Sequence, residues 1–320
     1  MKILLTGATG FVGQHIFKAI DKKFATVVLG RKRSNDYLGE FIEYDLKNAP
    51  DEGLNLQGID VVIHSAARAH IMHDASLDPQ AEYLLVNTEA TLTLAKSAAK
   101  SGVKRFIFIS SIKVNGESTS GRMPFTSSEQ PCTSDHYGQS KLEAENRLKD
   151  LAAKTGLEVV IIRPTLVYGL GVKANFASLM KLISKGMPLP FGCITKNKRS
   201  LVSVDNLVDL IISCIDHPKA ANQVFLVSDD HDVSTSEMVR EMAIALNKPA
   251  WQLPVPVWSY KLVGKLFNKS AVVDRLTGSL QVDISHTKDT LGWRPPQSLQ
   301  DGFKQTAEAF LHSKKNSGKA

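Results

Sequence analysis

A chain of 320 residues is long enough to bury a large core, either as one large domain or as two smaller ones. Its 43% hydrophobic and 22% charged residues are typical of a globular protein, and no apolar run approaches the ~20 residues that span a membrane. The net charge of +7 favours an anionic ligand, but no nucleic-acid recognition element accompanies it, so we expect no nucleic-acid partner. Three widely spaced cysteines and a first strand that leaves no room for a signal peptide predict a cytoplasmic location.

The chain opens with a pattern of strand, glycine turn and helix. Ile3–Leu5 is a short apolar run that predicts a buried parallel strand, and the apolar residues within Phe11–Ile20 recur at helical spacing. Gly7, Gly10 and Gly13 lie between and at the start of these elements. Glycines at such a turn let the backbone approach a pyrophosphate, and the N-terminus of the helix attracts its charge. The turn therefore predicts a dinucleotide-binding site.

Strands and helices continue to alternate through the first half of the chain. The further predicted strands are Thr26–Leu29, Glu40–Tyr44, Asp60–Ile63, Lys104–Ile109 and Leu157–Ile162, and the main predicted helices are Ala81–Ala99 and Tyr137–Lys154. This alternation is typical of a parallel sheet covered by helices on both faces, with its ligand at the carboxyl ends of the strands. We therefore predict an α/β fold with a Rossmann-like, doubly wound parallel sheet.

A second pattern combines a strand end with the start of a helix. Ser110 and Ser111 follow the strand that ends at Ile109, and Tyr137 and Lys141 are four residues apart, so they share one face of a helix. A cation beside a phenol favours the phenolate, which would lower the pKa of Tyr137 towards the working pH of a proton donor and acceptor.

Together, the glycine turn and the Tyr-x-x-x-Lys pattern resemble the short-chain dehydrogenase/reductase superfamily, in its extended branch of nucleotide-sugar epimerases, dehydratases and reductases. The resemblance runs from Met1 to about Phe310. It implies three catalytic residues: Tyr137 transfers the proton, Lys141 grips the nicotinamide ribose, and Ser111 holds the reacting sugar oxygen.

Ser111 is preferred to Ser110 because the family's serine lies three residues before the valine of a Val-Tyr-Gly motif, which Val114-Asn115-Gly116 matches here. Asn115 replaces the usual tyrosine, which leaves one substrate contact open.

The resemblance also implies the cofactor contacts. The predicted cofactor-binding residues are Gly7, Thr9, Gly10, Phe11, Val12, Gly13, Arg31, Arg33, Asp45, Leu46, Ala66, Asn87, Tyr137 and Lys141. Folds that bind NAD usually carry Asp or Glu at the end of the second strand, but here Gly30-Arg31-Lys32-Arg33 follows it. Because these cations could meet a 2′-phosphate, NADP(H) is favoured over NAD(H), with a solvated basic loop as the alternative.

After Pro164 the pattern contains more loops. Ser203–Ile211 predicts a helix with Asp205 as a candidate N-cap, and Val224–Val227 predicts a strand. The predicted division, which follows the family, is a dinucleotide-binding domain of residues 1–164 to which 200–230 return, a smaller C-terminal substrate-binding lobe of 165–199 and 231–312, and a disordered basic tail of 313–320.

Three residues of the second half are candidates for substrate binding. The resemblance implies that Asn175 contacts the nucleotide sugar and that Arg199 pairs with its diphosphate, with Arg275 as a second candidate. The planar fork of arginine suits this task because it bonds two oxygens at once. For each arginine, the alternative is an ordinary surface charge.

No metal site is predicted. His70, His73 and Asp74 are close in sequence, but the spacing lacks a clear third partner, so solvated loop histidines are the better interpretation.

The resemblance implies chemistry at C4 of a UDP-sugar. Dehydratases usually carry an Asp-Glu pair where Ile112-Lys113 stand, so that activity is set aside. The favoured hypothesis is a reductase of a UDP-4-keto-6-deoxy-N-acetylhexosamine in surface-polysaccharide synthesis. The alternatives are a 4-epimerase of UDP-glucose or UDP-N-acetylglucosamine, and a non-catalytic nucleotide-sensing or scaffold protein on the same fold. The family also implies a homodimer formed by the helices that carry Asn87 and Tyr137.

Overall fold

The structure is a computed structural model that describes residues 1–33, 37–48, 54–68, 78–172 and 174–317. The strands are β1 Lys2–Thr6, β2 Ala25–Gly30, β3 Glu40–Glu43, β4 Val61–His64, β5 Arg105–Ile109, β6 Glu158–Pro164, β7 Leu166–Tyr168, β8 Arg199–Ser203, β9 Val224–Val227 and β10 Asp232–Val233. Seven of them form a parallel sheet in the order β3-β2-β1-β4-β5-β6-β9. This arrangement confirms the predicted α/β fold.

The helices are α1 Phe11–Ile20, α2 Pro79–Leu84, α3 Ala90–Lys100, α4 His136–Thr155, α5 Ala174–Ser184, α6 Val204–Asp216, α7 Thr235–Ala245, α8 Val257–Leu266, α9 Ser270–Thr277, α10 Ser285–Leu291 and α11 Leu299–Ser317. The predicted helix Ala81–Ala99 is in fact α2 and α3 joined by a π-helical turn, Leu85–Glu89. Among the helices that the structure describes, none has the length and apolar character needed to cross a bilayer.

The apolar run in β1 has a direct structural reason. Ile3 and Leu5 point into one core, which they share with α1 and α6, whereas Leu4 points into a second core, shared with α3 and α4. All three side chains are fully buried. Because successive residues of a strand face opposite sides, a strand covered on both faces must be apolar throughout.

The second half of the chain contributes to both parts of the molecule. Strand β9 extends the large sheet beside β6, and α6 packs against α1. A smaller sheet, in the order β10-β8-β7, packs with α5, α7 and α11 around a third core that contains the rings of Tyr168, Phe176 and Phe303.

Two details differ from the sequence-based expectation. The N-cap of α6 is Ser203, whose hydroxyl accepts a hydrogen bond from the Asn206 N–H at 3.1 Å, so Asp205 lies in the first turn instead. Helix α11 runs to Ser317, into the predicted tail of 313–320, because its apolar side chains, including Phe303 and Phe310, anchor it in the third core and the helix continues beyond them.

Candidate active site

The glycine turn between β1 and α1 is built for close backbone approach. Gly7 has a φ of +73°, and a Cβ there would lie 2.6 Å from the Ala66 nitrogen at the end of β4. A Cβ at Gly13 would lie 2.0 Å from the Gly7 oxygen. Gly10 is the N-cap of α1 and supplies no side-chain cap, and the first turn carries no acidic residue. These features leave the positive end of the helix available to an anion.

A directional chain of hydrogen bonds lies beneath this turn. The Thr91 hydroxyl donates to the Asn87 carbonyl at 2.8 Å, so its oxygen accepts from His64 Nε2 at 2.9 Å. His64 Nδ1 then accepts from the Thr6 hydroxyl at 2.7 Å, and the Thr6 oxygen accepts from the Ala66 N–H at 3.2 Å. Each hydrogen bond in this series then has only one possible donor, which assigns the neutral Nε2–H tautomer to His64. Burial, followed by the charge of Lys141, lowers the pKa of His64 to about 3.

Asn87 is fully buried in the π-helical turn. Its amide oxygen accepts from the Arg68 N–H at 2.8 Å, and its amide nitrogen donates to the Arg68 carbonyl at 3.1 Å and to the Ser140 hydroxyl at 3.0 Å. Asn87 therefore fastens the loop after β4 to helix α4. Its contacts are those of a residue that positions the site.

Helix α4 begins where Asp135 accepts a hydrogen bond from the Gly138 N–H at 3.0 Å, which places Tyr137 in the first turn. Ser111, which follows β5, lies close enough to Tyr137 for its side chain to act on the pKa of the phenol. The ring of Tyr83 packs edge-on against Tyr137, with 6.2 Å between centroids. The structure thus places two of the three predicted catalytic side chains beside each other.

Lys141 lies one turn further along α4 and is 1% exposed. Its ammonium donates to the Ile109 carbonyl at 2.9 Å and lies 4.4 Å from the centroid of the Phe108 ring. Burial lowers the pKa of Lys141 to about 7, against the opposing charge of Glu145.

The pKa of Tyr137 differs from the sequence-based expectation. Burial raises it to about 12, and the hydrogen bond from Ser111 offsets only part of that rise. The expected lowering by Lys141 is therefore wrong for this arrangement, because the Lys141 ammonium donates to the Ile109 carbonyl and desolvation of the phenolate outweighs the effect of Ser111.

A buried polar network explains the choice between the two serines. The Ser110 hydroxyl donates to Glu145 at 2.5 Å, and Glu145 forms a buried ion pair with Arg163. Arg163 also donates to the Asn115 side-chain oxygen at 2.9 Å, and the Asn115 amide donates to the Thr126 carbonyl at 2.9 Å. Ser110 is thus engaged inside the protein, whereas Ser111 meets Tyr137. Asn115 braces the loop after β5, a role that the tyrosine of the family pattern does not indicate.

The cationic residues after β2 lie at the carboxyl edge of the sheet. Arg31, Lys32 and Arg33 are exposed. The Arg33 guanidinium donates to the Gly39 carbonyl at 3.1 Å and lies 5.6 Å from the centroid of the Phe41 ring.

The remaining cofactor candidates lie on the same edge. Asp45 accepts from the Lys47 N–H at 3.1 Å and so starts the short helical turn that contains Leu46. Thr9 is exposed on the glycine turn, while Phe11 and Val12 pack partly buried against the first core.

The structure describes the side chains of two of the three predicted substrate-binding residues, Arg199 and Arg275. Arg199 opens β8 and donates to the carbonyls of Arg275, at 2.8 Å, and Gly278, at 3.4 Å. Burial lowers the pKa of Arg199, and the nearby charge of Arg275 lowers it further. The structure therefore brings the two arginines together. The side chain of Asn175, at the start of α5, lies outside the described part.

The residues weighed as metal ligands from the sequence, His70, His73 and Asp74, lie outside the described residues. Within the ranges that the structure does describe, no three His, Cys, Asp or Glu side chains are grouped to hold a metal ion.

Sequence reasoning missed His64, Glu145 and Arg163 as parts of the site. One signal was present: a polar residue ends or follows each apolar strand at the carboxyl edge, as His64 does after Val61-Val62-Ile63. For Arg163 and Glu145 the sequence carries no local signal, because each pairs with a residue on another element.

Comparisons with known proteins identify the family and the fold. The sequence profile of the NAD dependent epimerase/dehydratase family matches residues 3–228. A UDP-glucose 4-epimerase from Vibrio cholerae is 63% identical over 314 residues, which cover 97% of this chain and 96% of that protein. An N-acetyl-alpha-D-glucosaminyl-diphospho-ditrans,octacis-undecaprenol 4-epimerase from Escherichia coli O157:H7 is 29% identical over 335 residues, covering 98% and 97%.

Solved structures share the fold. The UDP-glucose 4-epimerase of Thermotoga maritima with UDP-glucose has a TM-score of 0.76 and 23% identity, covering 98% of this chain and 99% of that one. The UDP-glucuronic acid 4-epimerase of Bacillus cereus with NAD has a TM-score of 0.76 and 22% identity, with the same coverage.

Proposed function

Because the chain belongs to the NAD-dependent epimerase/dehydratase family, we propose that it is a nucleotide-sugar 4-epimerase that acts on a UDP-hexose. The observation that carries the proposal is its likeness, over nearly the whole length of both chains, to the Vibrio cholerae UDP-glucose 4-epimerase. The proximity of Ser111 and Tyr137 at the carboxyl edge supports the proposal, because two such hydroxyls suit proton transfer at a sugar oxygen.

The chain's own residues fit a nicotinamide dinucleotide. A Cβ at Gly7 or Gly13 would collide with neighbouring backbone, so only glycine permits this tight turn, and the start of α1 that follows it has no side-chain cap. These residues would hold the pyrophosphate, and Lys141 would reach the ribose beside Tyr137. When bound, the cofactor supplies reversible hydride transfer at a carbinol carbon.

Tyr137 and Ser111 handle the proton. Tyr137 accepts the proton of the C4 hydroxyl and later returns it, while Ser111 hydrogen-bonds the same oxygen and fixes its distance from the phenol. An unperturbed phenol has a pKa of ~10, and burial raises that of Tyr137 to about 12, so the group rests as the protonated acid. Ser111 is the neighbouring group that lowers this pKa and so favours the phenolate.

Inversion at C4 also requires the sugar to expose each of its faces in turn, so binding must come from the part of the substrate that does not turn. Arg199 and Arg275 suit this requirement because two adjacent guanidiniums form a site for a diphosphate. We propose that they anchor the diphosphate of the UDP-sugar.

The reductase that the sequence analysis put first is the second candidate. The exposed cations Arg31 and Arg33 favour it, because they suit NADPH, the reducing form of the cofactor. The comparisons support the epimerase better.

One experiment separates the two activities. The purified protein is incubated with UDP-glucose, UDP-galactose and their N-acetyl forms, and separately with a UDP-4-keto-6-deoxy-hexosamine and NADPH, and the products are identified by NMR. Interconversion of a C4 pair without net use of cofactor supports the epimerase. Stoichiometric NADPH oxidation with the keto sugar alone would establish the reductase instead.

The choice of cofactor is a separate proposal. NADP(H) is favoured by the cations after β2, although the solved structure of the Bacillus cereus relative carries NAD. Arg31→Ala/Arg33→Ala should weaken NADPH binding about tenfold or more, since a charge-assisted hydrogen bond is worth ~1.5–3 kcal/mol, and should leave NADH binding unchanged. Lys18→Ala/Lys22→Ala is the control for net charge. Tighter binding of NADH by the unaltered protein would contradict the preference.

We further propose the division of labour expected from the sequence, in which residues 1–164 with 200–230 hold the cofactor, and 165–199 with 231–312 hold the sugar. A homodimer through α3 and α4 and a cytoplasmic location stay predictions, and light scattering of the purified protein tests the first.

A further inference from the structure

Helices α8 and α9 form a hairpin whose large apolar side chains face outward. Trp258, Leu262 and Leu266 follow one another at intervals of four residues, so they form one stripe along α8, and they are 67%, 62% and 78% exposed. Further exposed apolar residues lie in α8, in α9 and in the flanking segments: Trp251, Leu253, Val263, Phe267 and Val272. We call these eight residues the apolar face. Clusters of this kind mark a site of contact with a partner or a membrane.

The outward orientation is imposed by packing inside the hairpin. Gly264 is the buried residue of α8, and a Cβ there would lie 2.6 Å from a methyl group of Val273 in α9. The side of α8 that carries Gly264 therefore lies tightly against α9. The stripe occupies another side of α8, so it cannot turn inward without separating the helices.

The charged residues from Met242 through Val273 are all lysines. Lys261 and Lys265 lie on α8 beside the stripe, Lys269 follows the helix, and all three are exposed. The sequence contains no Asp or Glu from Met242 through Val273. A second copy of this chain docked through the same face would bring the lysines of both copies together, whereas an anionic surface would neutralise them.

We propose that the apolar face docks on an anionic lipid surface. The stripe enters the boundary between headgroups and acyl chains, and the lysines contact the lipid phosphates. Tryptophan, leucine and phenylalanine beside a lysine row are the composition of helices that lie in this interface. Between the helices, a cavity of about 450 Å³ lined by Val255, Val263, Phe267, Val272 and neighbouring residues adds apolar surface for an acyl chain.

The test is co-sedimentation of the full chain with vesicles. Vesicles of phosphatidylcholine alone are compared with an equal mixture of phosphatidylcholine and phosphatidylglycerol, at low and raised salt. The expected result is binding to the mixed vesicles that weakens as salt rises. Lys261→Glu/Lys265→Glu should reduce binding about tenfold or more, at ~1 kcal/mol for each lysine near the surface. Leu262→Ser/Leu266→Ser should also reduce it at least about tenfold.

Two matched variants act as controls. Lys18→Glu/Lys22→Glu makes the same change in charge at the same spacing, on and just after α1, and Met123→Ser/Ile244→Ser removes two other exposed apolar side chains. Both should bind as the unaltered protein does, and turnover of a UDP-sugar checks that each variant folds. Absence of vesicle binding, or equal loss in the control variants, would overturn the proposal. Loss of a dimer in the α8 variants without any vesicle binding would assign the face to a second copy.

Discussion

The carboxyl edge of the large sheet and the α8–α9 hairpin differ in which kind of side chain they bury. At the edge, polar groups such as His64, Asn87 and Glu145 are buried, and each is held by hydrogen bonds from other elements of the chain. At the hairpin, apolar groups such as Trp258 and Leu266 remain exposed. The geometry of the edge is therefore set within the chain, whereas the hairpin leaves apolar surface uncovered, which is the basis of the proposed contact with lipid.

Among substitutions at the carboxyl edge, the largest effect is expected at Tyr137, the group proposed to transfer the proton. Tyr137→Phe should lower turnover ~10²–10⁴-fold, because it removes the transferable proton and retains the ring, while cofactor binding stays nearly intact. Tyr260→Phe in the hairpin is the matched control, since its buried hydroxyl has no partner within the described residues. Turnover of the Tyr137 variant at the control's level would show that Tyr137 is structural.

The next largest effect concerns the buried ion pair that supports the edge. Glu145→Gln should lower the free energy of unfolding by ~3–5 kcal/mol, because it leaves the Arg163 charge buried without its partner. Glu143→Gln lies in the same helix and also removes a carboxylate paired with an arginine, Arg147, but at the surface, so it should cost under ~1 kcal/mol. Urea denaturation measures both. Equal losses would contradict the assignment of a buried support.

Much of this edge could be predicted from the sequence, because its signals are local. The apolar run of β1, the glycine turn and the pair Tyr137 and Lys141 each lie within a few residues, and the structure places Ser111 beside Tyr137. The catalytic roles of these residues stay predictions. The fold prediction is confirmed on the same grounds, since the alternation of strands and helices is a local pattern.

The rest depends on contacts between distant residues. Arg163 and Asn115 are 48 positions apart, and no spacing rule connects them. The expected lowering of the Tyr137 pKa is wrong because helical spacing places Lys141 on the same helical face as Tyr137 but does not give the free-energy cost of burying the phenolate. The exposure of the hairpin's apolar side chains could not be predicted for another reason. Apolar residues at helical spacing usually predict a buried face.

A smaller effect is expected at Arg199, the first residue of β8 in the smaller sheet. Arg199→Gln should raise KM for the UDP-sugar about 10–100-fold with little change in kcat, because a charge-assisted contact to the diphosphate is worth ~1.5–3 kcal/mol in both ground and transition states. Lys198→Gln, at the exposed neighbouring position, should leave KM unchanged. A fall in kcat at constant KM in the Arg199 variant would exclude this role.

The smallest change at any single step is a pH dependence of stability caused by His64, because it is spread over several pH units. Its folded pKa of about 3 lies below the ordinary value of ~6.5, so the unfolded chain takes up a proton between these pH values while the folded protein does not. Stability is fully present above pH ~6.5 and falls as the pH drops through this window, by at most ~1.4 kcal/mol per pH unit.

His64→Gln provides the reference, because glutamine does not titrate. Subtracting its free energy of unfolding from that of the unaltered protein removes the contribution of the carboxylates. The difference should decline between pH ~6.5 and ~3. Parallel curves would show that His64 is protonated in the folded state or is exposed.

The most direct test of the account follows the hydrogen at C4. UDP-glucose carrying deuterium at C4 is incubated with the protein in ordinary water, and NMR of the UDP-galactose formed locates the label. Epimerisation in a closed site, with Tyr137 moving only the hydroxyl proton, predicts that the deuterium is retained at C4 and that no cofactor is consumed. Loss of the label to water, or failure to interconvert any C4 pair of UDP-sugars, would contradict the assignment of a 4-epimerase.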